Sequence, residues 1–379
     1  MSLSSRRLIS GLVVVLAIAP AARAQQQVTP HIGYVYPAGA RQGAALEVTI
    51  GGQFLDGVSQ AFVSGAGVQA TVVEHVKPIA KGQANKLKEK LQELQKKTTT
   101  PEITKEIAEI RKKLAAFVRK PATPAIAETV TLRLTTAADA EPGPREFRLR
   151  TPAGLTNPLV FCVGQLPEFS KKAAQGIASK EGSKGAKFRM EVKSSTAAAP
   201  ADLTLPTIVN GQILPGGVDR YRFEARKGQR IVIAASAREL IPYLADAVPG
   251  WFQAALTLYD AKGNEVAYAD HYRFHPDPVL YYEIPEDGRY VIEIRDSIYR
   301  GREDFVYRIA VGELPFVTSI FPLGGRVGGQ STVELTGWNL PVASLTQENE
   351  RRRPGVYPLS VRKGDHASNQ LPFAVDTLP

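Results

Sequence analysis

The chain is nearly without cysteine. Cys162 is the only one in 379 residues, so no internal disulfide can form, and stability must come from buried cores, which this length permits. Its distance from the N-terminus also excludes a bacterial lipid anchor on a leading cysteine. Within "LVFCV" it reads as a small buried hydrophobe rather than a reactive thiol. Long apolar runs are missing as well. The one that stands out, "LISGLVVVLAIA" (8–19), is too short to span a bilayer comfortably. It follows Arg6 and Arg7 and precedes "ARA" (22–24), so residues 1–24 read as an export signal and the mature chain is expected to begin at Gln25. The mature protein is therefore expected to be secreted, extracellular or periplasmic, with no membrane span.

Catalytic signatures are absent too. There are five histidines, but no H-E-x-x-H, no G-x-S-x-G and no Gly-rich phosphate loop followed by Lys-Ser/Thr. The expectation is a protein that is not an enzyme and carries no cofactor. Positive charge is missing from most of the chain, despite a net charge of +10. Residues 81–120 hold twelve Lys/Arg against five Glu, the export signal holds three Arg, and the remainder is neutral. The mature protein carries one basic module.

What is present is a folded composition, 44% hydrophobic and 22% charged, and a repeat. "YPAGARQGAALEVTIGGQFL" (36–55) aligns without a gap to "FPLGGRVGGQSTVELTGWNL" (321–340). "PGPREFRLRTPAGLTNPLVFCVGQLP" (142–167) aligns likewise to "PGVYPLSVRKGDHASNQLPFAVDTLP" (354–379). Both copies show strand alternation, Leu46, Val48 and Ile50 in one and Val333 and Leu335 in the other, with glycines at the turns. The opening aromatic-Pro-x-Gly…Gly, the strand ending in Gly52-x-x-Leu55 and the closing "PG…R…N.L.F.V" resemble IPT/TIG domains, over about residues 28–166 and 316–379. That resemblance implies small immunoglobulin-like β-sandwiches. The first copy contains "AFVSGAGVQATVVEHV" and "AETVTLRLTT" as middle strands. The second lacks both segments and reads as an abbreviated copy or the product of a truncated gene.

An insertion at 78–122 interrupts the first copy. Leu87, Leu91 and Leu94 fall on one helix face, and Ile103, Ile107, Ile110, Leu114 and Phe117 repeat at steps of four and three. Thr100 can cap the second helix, with Pro101 and Glu102 in its first turn. The expectation is an antiparallel helical hairpin. Its basic face lacks interleaved aromatics, which argues against a nucleic-acid partner; it reads as a solvated face laced with Glu–Lys pairs or as a docking arm for an anionic partner.

Residues 167–203 are rich in Lys, Ala, Ser and Gly and read as a linker, with "KFRMEV" as a stray strand. Residues 204–313 then give seven alternating segments joined by turns such as "DAKGNE" and "PEDGR", an antiparallel sandwich or jelly roll. The stretch from "NGQILPGGVDRYRFEARKGQRIVI" through "PVLYYEIPEDGRYVIEIRD" resembles the bacterial pre-peptidase C-terminal domain. The resemblance implies an accessory, non-catalytic module of the kind that binds carbohydrate or collagen. The second IPT/TIG-like copy occupies 314–379. The fold class is mainly β: tandem antiparallel β-sandwiches, immunoglobulin-like and jelly roll, with an inserted α-helical hairpin.

Two sets of residues are candidates for binding. Asp270, Asp277 and Asp296 could converge at one end of the jelly roll and supply the oxygen ligands that calcium prefers; equally, acidic turn residues cap loops and pair with neighbouring arginines. Tyr243, Trp251 and Phe252, in a Pro-containing loop, could form a recognition face, or fold down as a plug on the barrel end. The sequence thus reads as a secreted binding or adhesion protein whose partner is an extracellular polymer, carbohydrate or protein. The alternatives are an accessory targeting component of a secreted hydrolase system and a structural spacer.

Overall fold

The structure, a computed structural model, describes residues 29–79, 81–96, 100–118, 123–171, 199–242 and 251–378. The export signal, "KFRMEV" and Tyr243 lie outside these residues. The protein is mainly β, built as three sandwiches in series, each with its own apolar core.

The first sandwich comprises β1 (His31–Tyr36), β2 (Gly39–Arg41), β3 (Ala45–Gln53), β4 (Gln60–Val63) and β5 (Val68–Val76). After the helices α1 (Lys81–Gln95) and α2 (Pro101–Val118) come β6 (Glu128–Thr136), β7 (Gly143–Thr151), β8 (Gly154–Leu155) and β9 (Leu159–Gly164). One sheet runs β1-β3-β6-β5; the other runs β2-β9-β7-β4, with β8 on β7. The period-two pattern dictates the packing. Val48, Ile50, Val130, Leu132 and Leu134 meet Phe147, Leu149, Leu159 and Phe161 in an apolar core. Each such side chain contributes roughly 1.5–3 kcal/mol by leaving water.

The helices replace the turn between β5 and β6, whose flanking residues Val76 and Thr129 are paired neighbours. Ala84, Leu94 and Ile110 are buried, and Lys90 pairs with Glu106 across the hairpin. The Thr100 hydroxyl accepts the Ile103 N–H at 3.3 Å, the capping role that its position predicts.

The middle sandwich takes both ends of the segment read as a linker. Glu168–Ser170 is β10 and Ala201–Leu203 is β11. Then follow β12 (Thr207–Gln212), β13 (Val218–Ala225), β14 (Arg230–Ser236), β15 (Ala254–Tyr259), β16 (Glu265–Ala269), β17 (Val279–Glu283), β18 (Gly288–Asp296) and β19 (Val306–Gly312). The sheets run β10-β12-β19-β14-β17 and β11-β13-β18-β15-β16. β10 and β11 pair in parallel with β12 and β13, whereas the sequence pattern predicts antiparallel pairing throughout. Three residues offer too short a period to stand out from the Lys/Ala-rich stretch around them. Tyr221, Phe223, Leu256, Leu258, Tyr290, Ile292 and Ile294 all face the core, as their alternation predicts. Two core tyrosines keep their hydroxyls satisfied: Tyr307 donates to Asp219 at 2.6 Å and lies 2.6 Å from the Tyr221 hydroxyl.

The third sandwich comprises β20 (Phe316–Phe321), β21 (Gly324–Arg326), β22 (Gln330–Trp338), β23 (Ser344–Glu348), β24 (Gly355–Leu359), β25 (Arg362–Lys363), β26 (His366–Ala367) and β27 (Leu371–Asp376). Its opening and closing segments repeat contacts of the first sandwich. Asn157 grips both backbone polar groups of Ile32, and Asn369 grips those of Val317. The Leu149 N–H donates to Thr156, and the Val361 N–H to Ser368. Gly39 pairs with Cys162 and Gly324 with Ala374. Phe54 and Asn339 hold the same left-handed turn, φ 60° and 54°. The copy is less abbreviated than its sequence implies. β23 pairs with β22, Val333 opposite Leu345, as β6 pairs with β3, Val48 opposite Leu132. One of the two strands expected to be missing is therefore replaced by a shorter one.

The three units dock on one another. Arg308, buried and held by Glu168 and Asn210 of its own sandwich, faces the first across Gly39. Tyr34, Tyr36, Ala38 and Ile126 pack there against Leu240 and Val306. Between the second and third, Trp338 stacks on Tyr281 at 5.0 Å, and the Asn339 amide donates to the carbonyls of Arg230 and Leu314.

Candidate functional site

The candidate ligands of a cation are not brought together. Asp277 is spent on backbone: its oxygens accept the N–H groups of Ala237, Arg238 and Glu239 at 2.7–3.0 Å. Asp296, fully buried, accepts the N–H groups of Gln253, Ile298 and Arg300 and both ends of the Arg300 guanidinium. Burial works to raise its pKa, but these donors override it and hold the carboxyl below the usual range. Asp270 pairs with His271 at 2.6 Å. Among the described residues no group of three or more His, Cys, Asp and Glu is placed to hold a metal ion. Asp277 and Asp296 each close their own loop with backbone and arginine donors that no cation spacing reveals, and Asp270 is paired with the neighbouring imidazole.

The aromatic loop divides. Phe252 is core, stacked on Phe305 at 5.2 Å, so its ring is not open to a ligand. Trp251, next to it, is exposed. The Trp251 carbonyl accepts from Arg300, and Arg238 lies 6.0 Å from its ring.

A different surface gathers binding chemistry. Ala254, Leu256 and Leu258 of β15 and Ile292 and Ile294 of β18 face the core. Strand geometry therefore turns Thr257, Tyr259, Glu293 and Arg295 to the outer face. Tyr268 of β16 stands opposite Thr257, and Glu293 stands opposite it on the other side. Glu293 is clasped by Arg220 at 2.7 Å. Arg295 lies 4.5 Å above the ring of Tyr299, from the loop after β18, and its charge also reaches the Tyr268 phenol. Tyr268 and Tyr299 are both exposed. Burial, reinforced by the Asp270 carboxylate, pushes the Tyr268 phenol up, so it stays a neutral hydroxyl. The result is a fixed guanidinium against the open ring of Tyr299, with the open ring of Tyr268 on the outer face of the same sheet beside Asp270 and His271. Sequence reasoning missed Tyr259 and Tyr268, although "LTLYD" and "EVAYAD" carry the signal: both sit out of phase with the core residues of their strands.

A second concavity, about 840 Å³, lies between the middle sandwich and the β25–β26 hairpin. Its lining includes Leu205, Pro206, Arg226, Glu313, Lys363 and His366, and no Phe, Tyr or Trp. Glu313 there is held by the Arg230 N–H at 3.1 Å and by Gln229. Burial pushes the Cys162 thiol up to about 11, which disfavours the thiolate. Among the described residues no helix is long and apolar enough to cross a membrane.

No protein-family model matches the chain, and no curated protein does. Solved structures match parts of the chain at low identity. The pre-peptidase C-terminal domain of a collagenase from Bacillus anthracis is 14% identical over 30% of this chain and 93% of that one, at a TM-score of 0.22. A periplasmic inhibitor of g-type lysozyme from Aeromonas hydrophila is 13% identical over 30% and 94%, also at 0.22. The mixed-linkage glucan utilization protein SGBP-B of Bacteroides ovatus, solved with a heptasaccharide, is 8% identical over 75% and 52%, at 0.19.

Proposed function

We propose that this chain is an exported, non-catalytic binding protein whose middle sandwich recognises an extracellular polysaccharide. The observation that carries the reading is the outer face of the sheet β11-β13-β18-β15-β16, where Arg295 lies against the exposed ring of Tyr299 and Tyr268 is exposed on the same face. A pyranose ring offers flat C–H faces and a rim of hydroxyls. Open aromatic rings suit the first, and fixed charged donors and acceptors suit the second. Arg295, Asp270 and His271 supply the latter. Tyr268 and Arg295 stand on strands, and Tyr299 on the adjoining turn, so little ordering is needed on binding. The outer sandwiches act as immunoglobulin-like supports of the IPT/TIG kind. The weakly acidic thiol of Cys162 and the absence of catalytic signatures in the sequence support a non-catalytic role.

The test is titration calorimetry of the mature chain against a panel of soluble polysaccharides, neutral and uronic. At least one is expected to bind the parent. Tyr268→Ala with Tyr299→Ala is expected to weaken that binding about tenfold or more, from roughly 0.5–1.5 kcal/mol per ring. The melting temperature should hold, because both rings are exposed. Absence of any polysaccharide ligand, or full binding by the double variant, would sink the reading.

A further inference from the structure

The cavity of about 840 Å³ between the middle sandwich and the β25–β26 hairpin lies apart from the proposed polysaccharide face, and the polar groups on its wall are unevenly engaged. All three of its carboxylates have donors. Glu224 accepts from the Arg289 guanidinium at 2.7 Å. Asp287 accepts the Lys227 N–H at 2.7 Å. Glu313 accepts the Arg230 N–H at 3.1 Å and the Gln229 amide at 3.3 Å. The basic side chains on the same wall, Arg226, Lys363 and His366, pair with no carboxylate among the described residues.

The repeat shows that two of these donors belong to the cavity rather than to the fold. Lys363 and His366 stand opposite each other on the β25–β26 hairpin. They align with Thr151 and Gly154, which stand opposite each other in the first sandwich. There the Thr151 hydroxyl turns back on the Gly154 carbonyl at 3.2 Å, and a Cβ on Gly154 would meet nothing within 4 Å. The hairpin therefore closes without a charged or ring-bearing residue at either position. In the third sandwich an ammonium and an imidazole occupy them, and both line the cavity. The His366 Nδ1 is enclosed without a hydrogen-bond partner, which leaves Nε2 as the nitrogen that can serve a ligand.

We propose that this cavity is a binding site for an aliphatic carboxylate, with Arg226, Lys363 and His366 holding the anionic head. Donors without acceptors select an anion, and charge-assisted bonds to a carboxylate are among the stronger hydrogen bonds. A cation would meet carboxylates that already have donors. Leu203, Leu205, Pro206, Ile231 and Leu314 offer apolar area, and no aromatic ring lines the site. Such a wall suits an alkyl chain or an aliphatic side chain better than the face of a sugar. The volume falls within the roughly 300–1,000 Å³ of small-molecule sites. Two kinds of molecule carry this chemistry: a medium-chain alkanoic acid, and the C-terminus of a peptide that ends in an aliphatic residue.

Calorimetric titration of the mature chain with octanoate and with acetyl-Ala-Val-Leu, its carboxyl free, tests the proposal and separates the two sources. At least one is expected to bind, and octanol and the peptide amide are expected to bind about tenfold more weakly or not at all. Arg226→Gln with Lys363→Thr is expected to weaken the acid about tenfold or more. Both side chains are exposed, so the melting temperature should hold. If that variant does not fold, His366→Ala must give a loss in the same direction. Tyr268→Ala with Tyr299→Ala should leave this binding intact, so the two sites stand or fall separately. Failure of both acids to bind overturns the proposal. So does equal binding of octanol or the amide, which would leave the apolar wall alone responsible, or full binding by the folded Arg226/Lys363 variant.

Discussion

A carboxylate at a sandwich end is neutralised either by a cation or by N–H donors, and Asp296 shows the second solution in full. Its depressed pKa makes a pH prediction. The folded-state value lies below the unfolded one, so its stabilisation is present above about pH 3.9, the ordinary Asp value, and is lost as pH falls through the lower folded value. Asp296→Asn leaves the Arg300 guanidinium without its partner and is expected to cost about 3 kcal/mol at pH 7. The deficit should narrow at pH 3, and urea melts of both proteins at the two pH values would show it. Calcium gives the complementary case. With Asp270, Asp277 and Asp296 already committed to protein donors, millimolar calcium or chelator is expected to leave the melting temperature unchanged, since only a ligand of the folded state raises it. A rise with calcium would restore the cation site. The sequence showed acidic residues at the loop ends but could not show their donors, because backbone N–H groups have no letter of their own.

Elements were legible where they were long and periodic. Ile103, Ile107 and Ile110 announce α2, and Tyr290, Ile292 and Ile294 announce β18. β23 was not legible: "SLTQE" offers one large apolar residue, Leu345, and is a strand because β22 presents it with an open edge. The three-residue strands β10 and β11 owe their form to β12 and β13 in the same way. Propensity is a weak guide where pairing decides. The helical hairpin is the opposite case, an element that its host does not need. β5 and β6 pair right up to its base, and closing a shorter loop there costs little. Replacing 80–121 with a short Gly-Ser loop is expected to remove the helical signal in circular dichroism and leave the β signal and the sandwich melt in place. Loss of the sandwich would show the helices to be part of its core. Retention on an anionic column should fall in the same variant, because the deleted stretch holds most of the excess positive charge.

At the scale of the molecule, alternation told which residues face inward but not which outer faces meet. Tyr36 and Phe321 look alike in sequence, yet one is covered by a neighbouring unit and the other is open. Arg308 reads as an ordinary strand arginine until Glu168 and Asn210 close around it. The parallel strand pairs of the outer units have a mechanical consequence. In each, a strand near the start of the unit runs beside its last strand in the same direction: Gly39–Arg41 beside Cys162–Gly164, Gly324–Arg326 beside Ala374–Asp376. Tension applied through the two ends of such a unit pulls these strands past each other along their length. The bonds that join them, Gln42 N–H to the Gly164 carbonyl and Cys162 N–H to Ala38, or Val327 to Asp376 and Ala374 to Leu323, are strained together rather than one after another. A protein fixed at one end to a cell and at the other to a polymer in flow would resist unravelling by shear. In single-molecule pulling, Gln42→Pro, which deletes one of these donors, is expected to lower the rupture force of the first sandwich and leave that of the third unchanged.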